Sequence, residues 1–550
     1  MKCPIPPYPH RHFFAAPFGH WGGHAFLILW LVIVSAVCSA EPSVPARDVT
    51  DPLSQRIDRL LLEHWRTHGI RPAPRCDDAT FVRRVYLDLT GRIPPAAVAR
   101  QFVASADPAK RRKLVDRLLR GPGFVTQLAF LLQQIMIPEA DKDPQRRSSV
   151  PPFTLWLEGE IRSGQPYDRI VYRVLTADRA ARDESVADGP AALRASPAPF
   201  FETKRFDPAK LTRATFRAFL GIRLDCAQCH DHPFDRWSQT DFWAVAAFFA
   251  DNAAGRAGTT GSTGARVPTI HIPNSDRVVE ARFPWPVPDA TEPHLPANER
   301  LARWVTSEHN FQFARAIANR IWAMLFGRGL VEPVDDFSEH NPPVVPDVLA
   351  ALAEGVREHR YDLRTIVRAL VLSEAYQRSS EVSGAAVDAD EQAVRNFARM
   401  AVRPLSGGQL YDSLAIATGA YDAVATLDEF VRLNTPRQRF LQVFGGQSLN
   451  LEDRQRTILQ ALLLMNGRAM DEATDPQRSR TLRAVLELPG LTDRQRVDAL
   501  FWSAFSRPAT AAEWQAIKQA LADVPPGERP RVFGDVFWAL LNSVEFCTNH

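Results

Sequence analysis

The chain has 550 residues, of which 45% are hydrophobic and 23% are charged, with a formal net charge of +3. These proportions exclude an intrinsically disordered chain, and the length is too great for a single hydrophobic core. The nearly balanced charge excludes the strongly basic class of nucleic-acid-binding proteins, so we expect no nucleic-acid partner.

The N-terminal 40 residues have the pattern of a secretory signal. Residues 25–38 are apolar except for Ser35, and two small residues follow before Glu41. About 14 apolar residues are fewer than the roughly 20 that cross a bilayer. We therefore predict a signal peptide over residues 1–40, an extracytoplasmic location (periplasmic or secreted) and no integral membrane span after cleavage. An uncleaved N-terminal anchor is the alternative.

Helical periodicity dominates the part of the chain that follows the leader. Asp77 is placed to cap a helix that stops at Gly91, and Asp107 with the proline after it is a typical helix start. A second Asp-Pro pair, at Asp207, predicts the helix that leads into the cysteine motif. We predict a first helical domain over residues 51–255.

Composition changes in the middle of the chain, where Gly, Ser, Thr and Pro are frequent. This stretch predicts a linker over residues 256–298, in which Val267–Ile272 and Arg277–Ala281 are candidates for a short β-hairpin. Helical periodicity resumes and predicts a second domain over residues 299–550. The predicted fold class is mainly α, with two helical domains joined by a Pro/Gly-rich linker.

The segment Cys226-Ala227-Gln228-Cys229-His230 is the sharpest chemical signal in the sequence. Cys-x-x-Cys-His is the attachment pattern of c-type haem, in which two thiols add to the haem vinyl groups and the histidine binds the iron. This attachment takes place outside the cytoplasm, which agrees with the predicted leader. We therefore predict haem c on Cys226 and Cys229, with His230 as an axial iron ligand.

Two other readings of the same segment remain open. Cys226 and Cys229 can form a local disulfide or a redox pair. Alternatively, Cys226, Cys229 and His232, with His230 as a further candidate, can ligate zinc. A structural zinc site normally has four ligands, and the sequence near the motif supplies no second Cys/His pair.

Six aromatic residues follow the motif and predict either an apolar wall for a haem or ordinary core packing. They are Phe234, Trp237, Phe242, Trp243, Phe248 and Phe249.

Two acidic sites outside the motif suggest ion pairs. Asp88 lies beside Arg83 and Arg84, for which we predict a salt bridge at the end of a helix. Asp335 and Asp336 follow Arg320 and Arg328, and buried ion pairs between helices are the favoured interpretation.

Longer motifs make the sequence similar to a known family. The residues that carry the resemblance are Val82–Pro94, Phe219–Arg223, Cys226–Trp237, Asn319–Trp322, Asp335–Phe337 and Trp538–Phe546. The first three of these motifs resemble the planctomycete cytochrome-c-like family, a domain of unknown function with a Cys-x-x-Cys-His motif. The others resemble the companion domain that usually follows it. The resemblance implies an exported protein without an established activity.

The sequence thus predicts an exported c-type haem-binding protein, with electron transfer to a redox partner protein as its role. A non-haem structural or interaction protein, with a disulfide or zinc at the cysteines, is the first alternative. A hydrolase that acts on extracytoplasmic polymers is the second.

Overall fold

The computed structural model describes residues 51–142, 146–177, 195–250, 267–288, 294–382, 387–420, 435–445 and 467–550, with the single residues 292, 460, 462, 464 and 465. The predicted signal peptide (residues 1–40) and part of the predicted linker (256–266) lie outside the described residues. None of the helices among the described residues has both the length and the apolar character that crossing a membrane requires.

Amphipathic helices make up most of the first half of the chain, as the sequence predicts. The α-helices are α1 (Pro52–Thr67), α2 (Asp78–Thr90), α3 (Ala96–Ala104), α4 (Lys110–Arg120), α5 (Pro122–Met136), α6 (Glu139–Lys142), α7 (Val150–Arg162), α8 (Tyr167–Leu175), α9 (Pro199–Glu202), α10 (Pro208–Thr215) and α11 (Gln239–Ala246). Shorter turns of 3₁₀ helix cover Arg147–Ser149, Cys226–Gln228 and Ala247–Phe249, and Phe216–Leu220 is a single π-helical turn.

The second half of the described chain is also helical. Its α-helices are α12 (Ala297–Thr306), α13 (Phe311–Phe326), α14 (Pro346–Glu358), α15 (Leu363–Val371), α16 (Val387–Arg395), α17 (Gly407–Thr418), α18 (Pro436–Phe444), α19 (Arg468–Thr474), α20 (Arg480–Glu487), α21 (Asp493–Phe505), α22 (Ala511–Ala522), α23 (Arg529–Leu541) and α24 (Val544–Cys547). The mainly α fold class is confirmed.

Two small antiparallel sheets accompany the helices. Strands β1 (Thr269–His271) and β2 (Val278–Glu280) pair with Ile270 opposite Val279, which confirms the predicted hairpin. Strands β3 (Arg403–Pro404) and β4 (Thr548–Asn549) pair with each other, so the C-terminal end of the chain lies beside Arg403.

Local capping rules explain where several helices begin and end. The side chain of Asp77 accepts the backbone N–H of Thr80, and Gly91 ends α2 in the left-handed conformation. The predicted start at Asp107 is two residues early. Asp107 caps a turn by accepting the N–H of Ala109, and α4 begins only at Lys110.

Two hydrophobic clusters form the interior of the region Thr50–His550, which is one compact unit. The first core extends in sequence from Leu53 to Met400 and so contains residues from both sides of the predicted linker. The second core consists of buried residues at positions between Leu405 and Cys547, such as Leu410, Leu500 and Phe537, together with Leu87 and Ile93 of the first half. The predicted domain boundaries at residues 255 and 299 remain a prediction.

Candidate functional site

The helix that precedes the cysteine motif changes from α-helical to π-helical geometry before it ends. Helix α10 begins with Asp207 as its N-cap, as predicted, and widens into the π-helical turn Phe216–Leu220. Such turns inside helices are frequent at functional sites. The turn ends at Gly221 with φ +65°, where a Cβ atom would lie 2.7 Å from the ring of Phe337. Only glycine fits this reversal, which turns the backbone out toward the motif.

The motif itself is a short exposed turn. Cys226–Gln228 form one turn of 3₁₀ helix, and the backbone N–H groups of Cys229 and His230 both donate to the carbonyl of Cys226, at 3.2 and 3.3 Å. Ala227 is fully buried and anchors the turn, whereas Cys226, Cys229 and His230 are exposed. Both cysteines are free thiols in the structure.

Helix α11 stabilises this turn by hydrogen bonds to its backbone and to Asp231. The indole N–H of Trp243 donates to the carbonyl of Gln228 at 3.0 Å, and the side-chain amide of Gln239 donates to the carbonyl of Cys229 at 2.7 Å. The backbone N–H of Gln239 donates to the carboxylate of Asp231 at 2.8 Å. The backbone of the motif is therefore fixed while its thiols remain accessible.

His230 is oriented by a backbone carbonyl. Its Nδ1 lies 2.7 Å from the carbonyl oxygen of Asp231. A carbonyl oxygen can only accept a hydrogen bond, so Nδ1 carries the proton and Nε2 of the neutral ring carries the lone pair. Metal-bound histidines are usually oriented by this kind of contact on the opposite ring nitrogen. The geometry thus prepares Nε2 of His230 to act as a ligand.

His232 is arranged differently. Its Nδ1 accepts the backbone N–H of Phe234 at 3.3 Å, and its own backbone N–H donates to the carbonyl of Trp237 at 2.7 Å. The ring therefore stabilises the loop after the motif. Across the part of the chain that the structure describes, no group of three His, Cys, Asp or Glu side chains is placed to hold a metal ion. Zinc ligation by Cys226, Cys229 and His232 remains a prediction.

The aromatic residues after the motif mostly lie in the first core. Trp237, Phe242, Trp243, Phe248 and Phe249 are buried.

Trp237 packs edge-on against Phe216 of the π-helical turn, with ring centroids 6.0 Å apart, and Phe216 in turn contacts Trp304 of α12. Phe234 is the exception, because 75% of its surface is exposed. Core packing therefore accounts for five of the six aromatic residues.

A buried carboxylate ties the approach to the motif to the second half of the chain. Asp335 accepts a hydrogen bond from Arg223 Nη2 at 2.6 Å and forms a salt bridge with Arg217, whose Nε lies 3.1 Å away. Burial by itself would raise the pKa of Asp335, but the charges of Arg320, Arg223 and Arg217 outweigh it and hold the pKa below its usual range. Asp335 forms buried ion pairs, as predicted, but with Arg217 and Arg223 and not with the expected Arg320 or Arg328; Arg320 donates to the carbonyl of Arg217.

Asp88 also forms a buried ion pair, but its partner differs from the prediction. Arg403 Nη2 lies 3.0 Å from both oxygens of the Asp88 carboxylate. Arg83 and Arg84 instead donate to backbone carbonyls, including that of Phe546 at 2.9 Å and that of Tyr376 at 2.6 Å. The predicted pairing of Asp88 with Arg83 or Arg84 is wrong. These arginines use their several donors to join α2 to segments that are distant in sequence.

Sequence reasoning missed the side chains that support the motif. The pattern Ser238-Gln239-Thr240-Asp241 is a capping box and marks the start of α11. No local rule shows that Gln239 and Trp243 of this helix reach back to the motif.

Two family models match parts of the chain, and the first of them covers the cysteine motif. Residues 56–254 match the family model PSCyt2, described as a protein of unknown function (DUF1549). Residues 298–442 match PSD1, also described as a protein of unknown function (DUF1553). The chain has no significant match among curated proteins or solved structures. It therefore carries two domains of unknown function in tandem, PSCyt2 followed by PSD1.

Proposed function

We propose that the protein is an exported c-type haem-binding protein with a role in electron transfer. The observation that carries the proposal is the position of His230, whose Nδ1 lies 2.7 Å from a backbone carbonyl oxygen, beside two exposed thiols. Covalent attachment of haem c requires accessible cysteines on one turn and a histidine with a free lone pair directly after them.

The residues of the motif fit this group. The thiols of Cys226 and Cys229 would each add across one vinyl double bond, with sulfur joining one carbon and the thiol hydrogen joining the other. His230 would donate its Nε2 lone pair to the iron. Bound haem supplies a one-electron redox centre, and its electrons would pass to or from a redox partner protein.

The surroundings of the motif support an exposed redox site. Trp243 and Gln239 hold the backbone of the turn, so the two sulfur atoms keep their spacing when the side chains react. The turn lies on the surface, and only Ala227 is buried against the interior. A surface position shortens the path for an electron to a partner protein. The location outside the cytoplasm is part of the proposal, because haem c is attached there.

A thiol–disulfide function is the second candidate. It is favoured by the exposure of both thiols, since exposed cysteines three residues apart are typical of reactive Cys-x-x-Cys pairs. Oxidation of the pair would form one S–S bond and release two protons and two electrons to a disulfide of a partner protein.

Haem staining on a denaturing gel tests the first proposal. The protein is produced in a periplasm that contains the cytochrome c maturation machinery, beside Cys226→Ser/Cys229→Ser and the buried-cysteine control Cys76→Ser. We expect staining of the wild type and of Cys76→Ser, and none of the double variant. A known cytochrome shows in the same cells that maturation works.

An unstained wild-type band beside a stained known cytochrome would contradict haem attachment. Thiol counts before and after reductant then test the second candidate. Two thiols that appear only after reduction, and that are absent from Cys226→Ser/Cys229→Ser, would support a disulfide. A haem-free protein in which Cys226 and Cys229 are free before reduction, so that they react together with Cys76 and Cys547, would contradict both candidates.

A further inference from the structure

A cavity lies beside the motif without including its cysteines. It is an open cleft with a volume of about 530 Å³, lined by the segments on either side of the motif, by the start of α13 and by residues 337–343. Trp237, Trp285, Phe311 and Phe337 form its aromatic lining. Small-molecule sites have volumes of roughly 300–1,000 Å³ and combine apolar walls with a few polar groups. The size and the lining are therefore those of a ligand site.

Arg315 is the most unusual group in this cavity. It is half-buried and forms no ion pair with any carboxylate in the part of the chain that the structure describes. Its guanidinium lies 5.3 Å from the centre of the Phe337 ring, and its Nη1 is 3.5 Å from Gln312 Oε1. Burial lowers the pKa of Arg315, with no opposing negative charge. A partly desolvated guanidinium without a counter-charge is costly unless an anion from outside pairs with it.

The start of helix α13 adds to the positive character of the same wall. The N-cap residue Asn310 makes no side-chain hydrogen bond to the first turn, and the turn contains no acidic residue. The backbone N–H groups of a first helical turn lack partners within the helix and attract negative charge. Asn310 is also fully buried in this wall, and its Oδ1 has no hydrogen-bond partner among the described residues. The wall therefore offers donors to an anion and one unused acceptor.

The remaining polar groups restrict the kind of anion. Asp235 and Glu339 also line the cavity, so a ligand with negative charge on every side would be repelled. Phe311 has 59% of its surface exposed; the guanidinium of Arg357 lies over its ring, 4.3 Å from the centroid, which leaves the opposite side of the ring as the apolar face for a ligand. A fitting sugar unit has one carboxylate, a ring with an apolar face, and hydroxyl groups that donate to carboxylates. An acidic sugar has all three.

We propose that this cavity binds a uronic acid unit of an acidic oligosaccharide. The carboxylate of the sugar pairs with Arg315 and the first turn of α13. The C–H face of the ring packs on Phe311, and the hydroxyl groups donate to Asp235 and Glu339. The site is separate from the cysteine motif and does not depend on the haem proposal.

Isothermal titration with digalacturonate tests the proposal, with lactose as an uncharged disaccharide for comparison. The wild type and Cys226→Ser/Cys229→Ser are both measured, so that neither haem nor thiol chemistry decides the result. We expect both proteins to bind digalacturonate at least about tenfold more tightly than lactose, because a charge-assisted hydrogen bond to arginine discriminates by this order.

Variants of Arg315 and Phe311 test which side chains cause the preference for digalacturonate over lactose. Arg315→Met is expected to lower the affinity for digalacturonate about tenfold or more, to the level of lactose, while Arg315→Lys retains part of the preference. The surface variant Arg169→Met should bind as the wild type does. Phe311→Ala changes an exposed side chain and should weaken both disaccharides without removing the preference. Melting temperatures confirm that each variant is folded.

Three results would overturn the proposal. The first is that digalacturonate does not bind to the wild type. The second is equal affinity for digalacturonate and lactose. The third is a folded Arg315→Met variant that retains the wild-type preference for the acidic disaccharide.

Discussion

Replacement of Asp88 by asparagine tests whether the buried ion pair is essential to the fold. The Asp88 carboxylate is 3% exposed. It accepts Arg403 Nη2 at 3.0 Å on each oxygen, the hydroxyl of Tyr376 at 2.7 Å and the amide of Asn549 at 2.8 Å. Burial, together with the negative charge of Asp88, holds the pKa of Tyr376 far above its usual value, so the hydroxyl remains a donor. All of the polar contacts to this carboxylate therefore come from donors.

Asp88→Asn keeps the shape of the side chain but removes its charge and turns one acceptor into a donor. The new amide faces donors, and the guanidinium of Arg403 loses its counter-charge in the interior. Breaking a buried ion pair on one side costs about 3–5 kcal/mol of the free energy of unfolding. Glu354→Gln is the matched control, because it breaks the exposed pair with Arg56, whose side chains are 45% and 48% exposed. This control should cost less than about 1 kcal/mol.

Urea unfolding, followed by circular dichroism and by tryptophan fluorescence, measures both effects. Coincident transitions in the two signals justify comparison of the free energies of unfolding. The double variant Asp88→Leu/Arg403→Met should cost less than the sum of the single changes, because it leaves no charge unpaired. A loss below about 1 kcal/mol for Asp88→Asn, or full additivity in the double variant, would refute the reasoning.

Two further predictions follow from exposure and burial. Brief alkylation of the reduced, haem-free protein, produced without the cytochrome c maturation machinery and mapped by peptide mass spectrometry, should modify the exposed Cys226 and Cys229 but reach the buried Cys76 and Cys547 only after unfolding; early modification of Cys76 or Cys547 would contradict the packing. Burial and the charges of three arginines lower the pKa of His550 to about 4. The stability that depends on neutral His550 is therefore present above about pH 6.5 and is lost as the pH falls toward 4. Melting temperatures between pH 7.5 and 4.5 should fall less steeply for His550→Gln than for the wild type, and parallel curves would contradict this assignment.

Local rules predicted the features that depend on neighbouring residues. The capping side chain of Asp77 and the left-handed Gly91 fix the two ends of α2, and both are readable from the sequence. The start of α4 was predicted two residues early, because Asp107 first stabilises a turn. Such errors are small, because they arise from competition between two local structures that use the same side chain.

Long-range partners were beyond the reach of these rules. Asp88 and Arg403 are 315 positions apart, and nothing near Asp88 distinguishes this partner from the adjacent Arg83 and Arg84. The cysteine motif was found because its spacing is local. The segment before the motif is tied to Asp335 by ion pairs of Arg217 and Arg223. These pairs depend on the three-dimensional fold and were therefore missed.

The predicted first domain offers the most direct test of how the chain is divided. Its helix α1 packs on the second half of the chain, where Gly355 of α14 is so close to Leu53 that an added Cβ would lie 2.7 Å from the leucine side chain. The backbone N–H of Tyr167 donates to the carbonyl of Tyr361 at 3.1 Å. A fragment of residues 51–255 would expose these surfaces to water, so we expect it to unfold without a cooperative transition in urea.

Co-expression with residues 256–550 is the control for this fragment, because the missing half of the first core is then supplied by a second chain. Apolar surface that is buried in the intact protein should drive the two fragments together, and they should copurify with a cooperative unfolding transition. A monomeric fragment 51–255 that unfolds cooperatively alone would show that the predicted boundary divides independent domains. The contacts of Leu53 and Tyr167 would then join two folded bodies and would not complete one core.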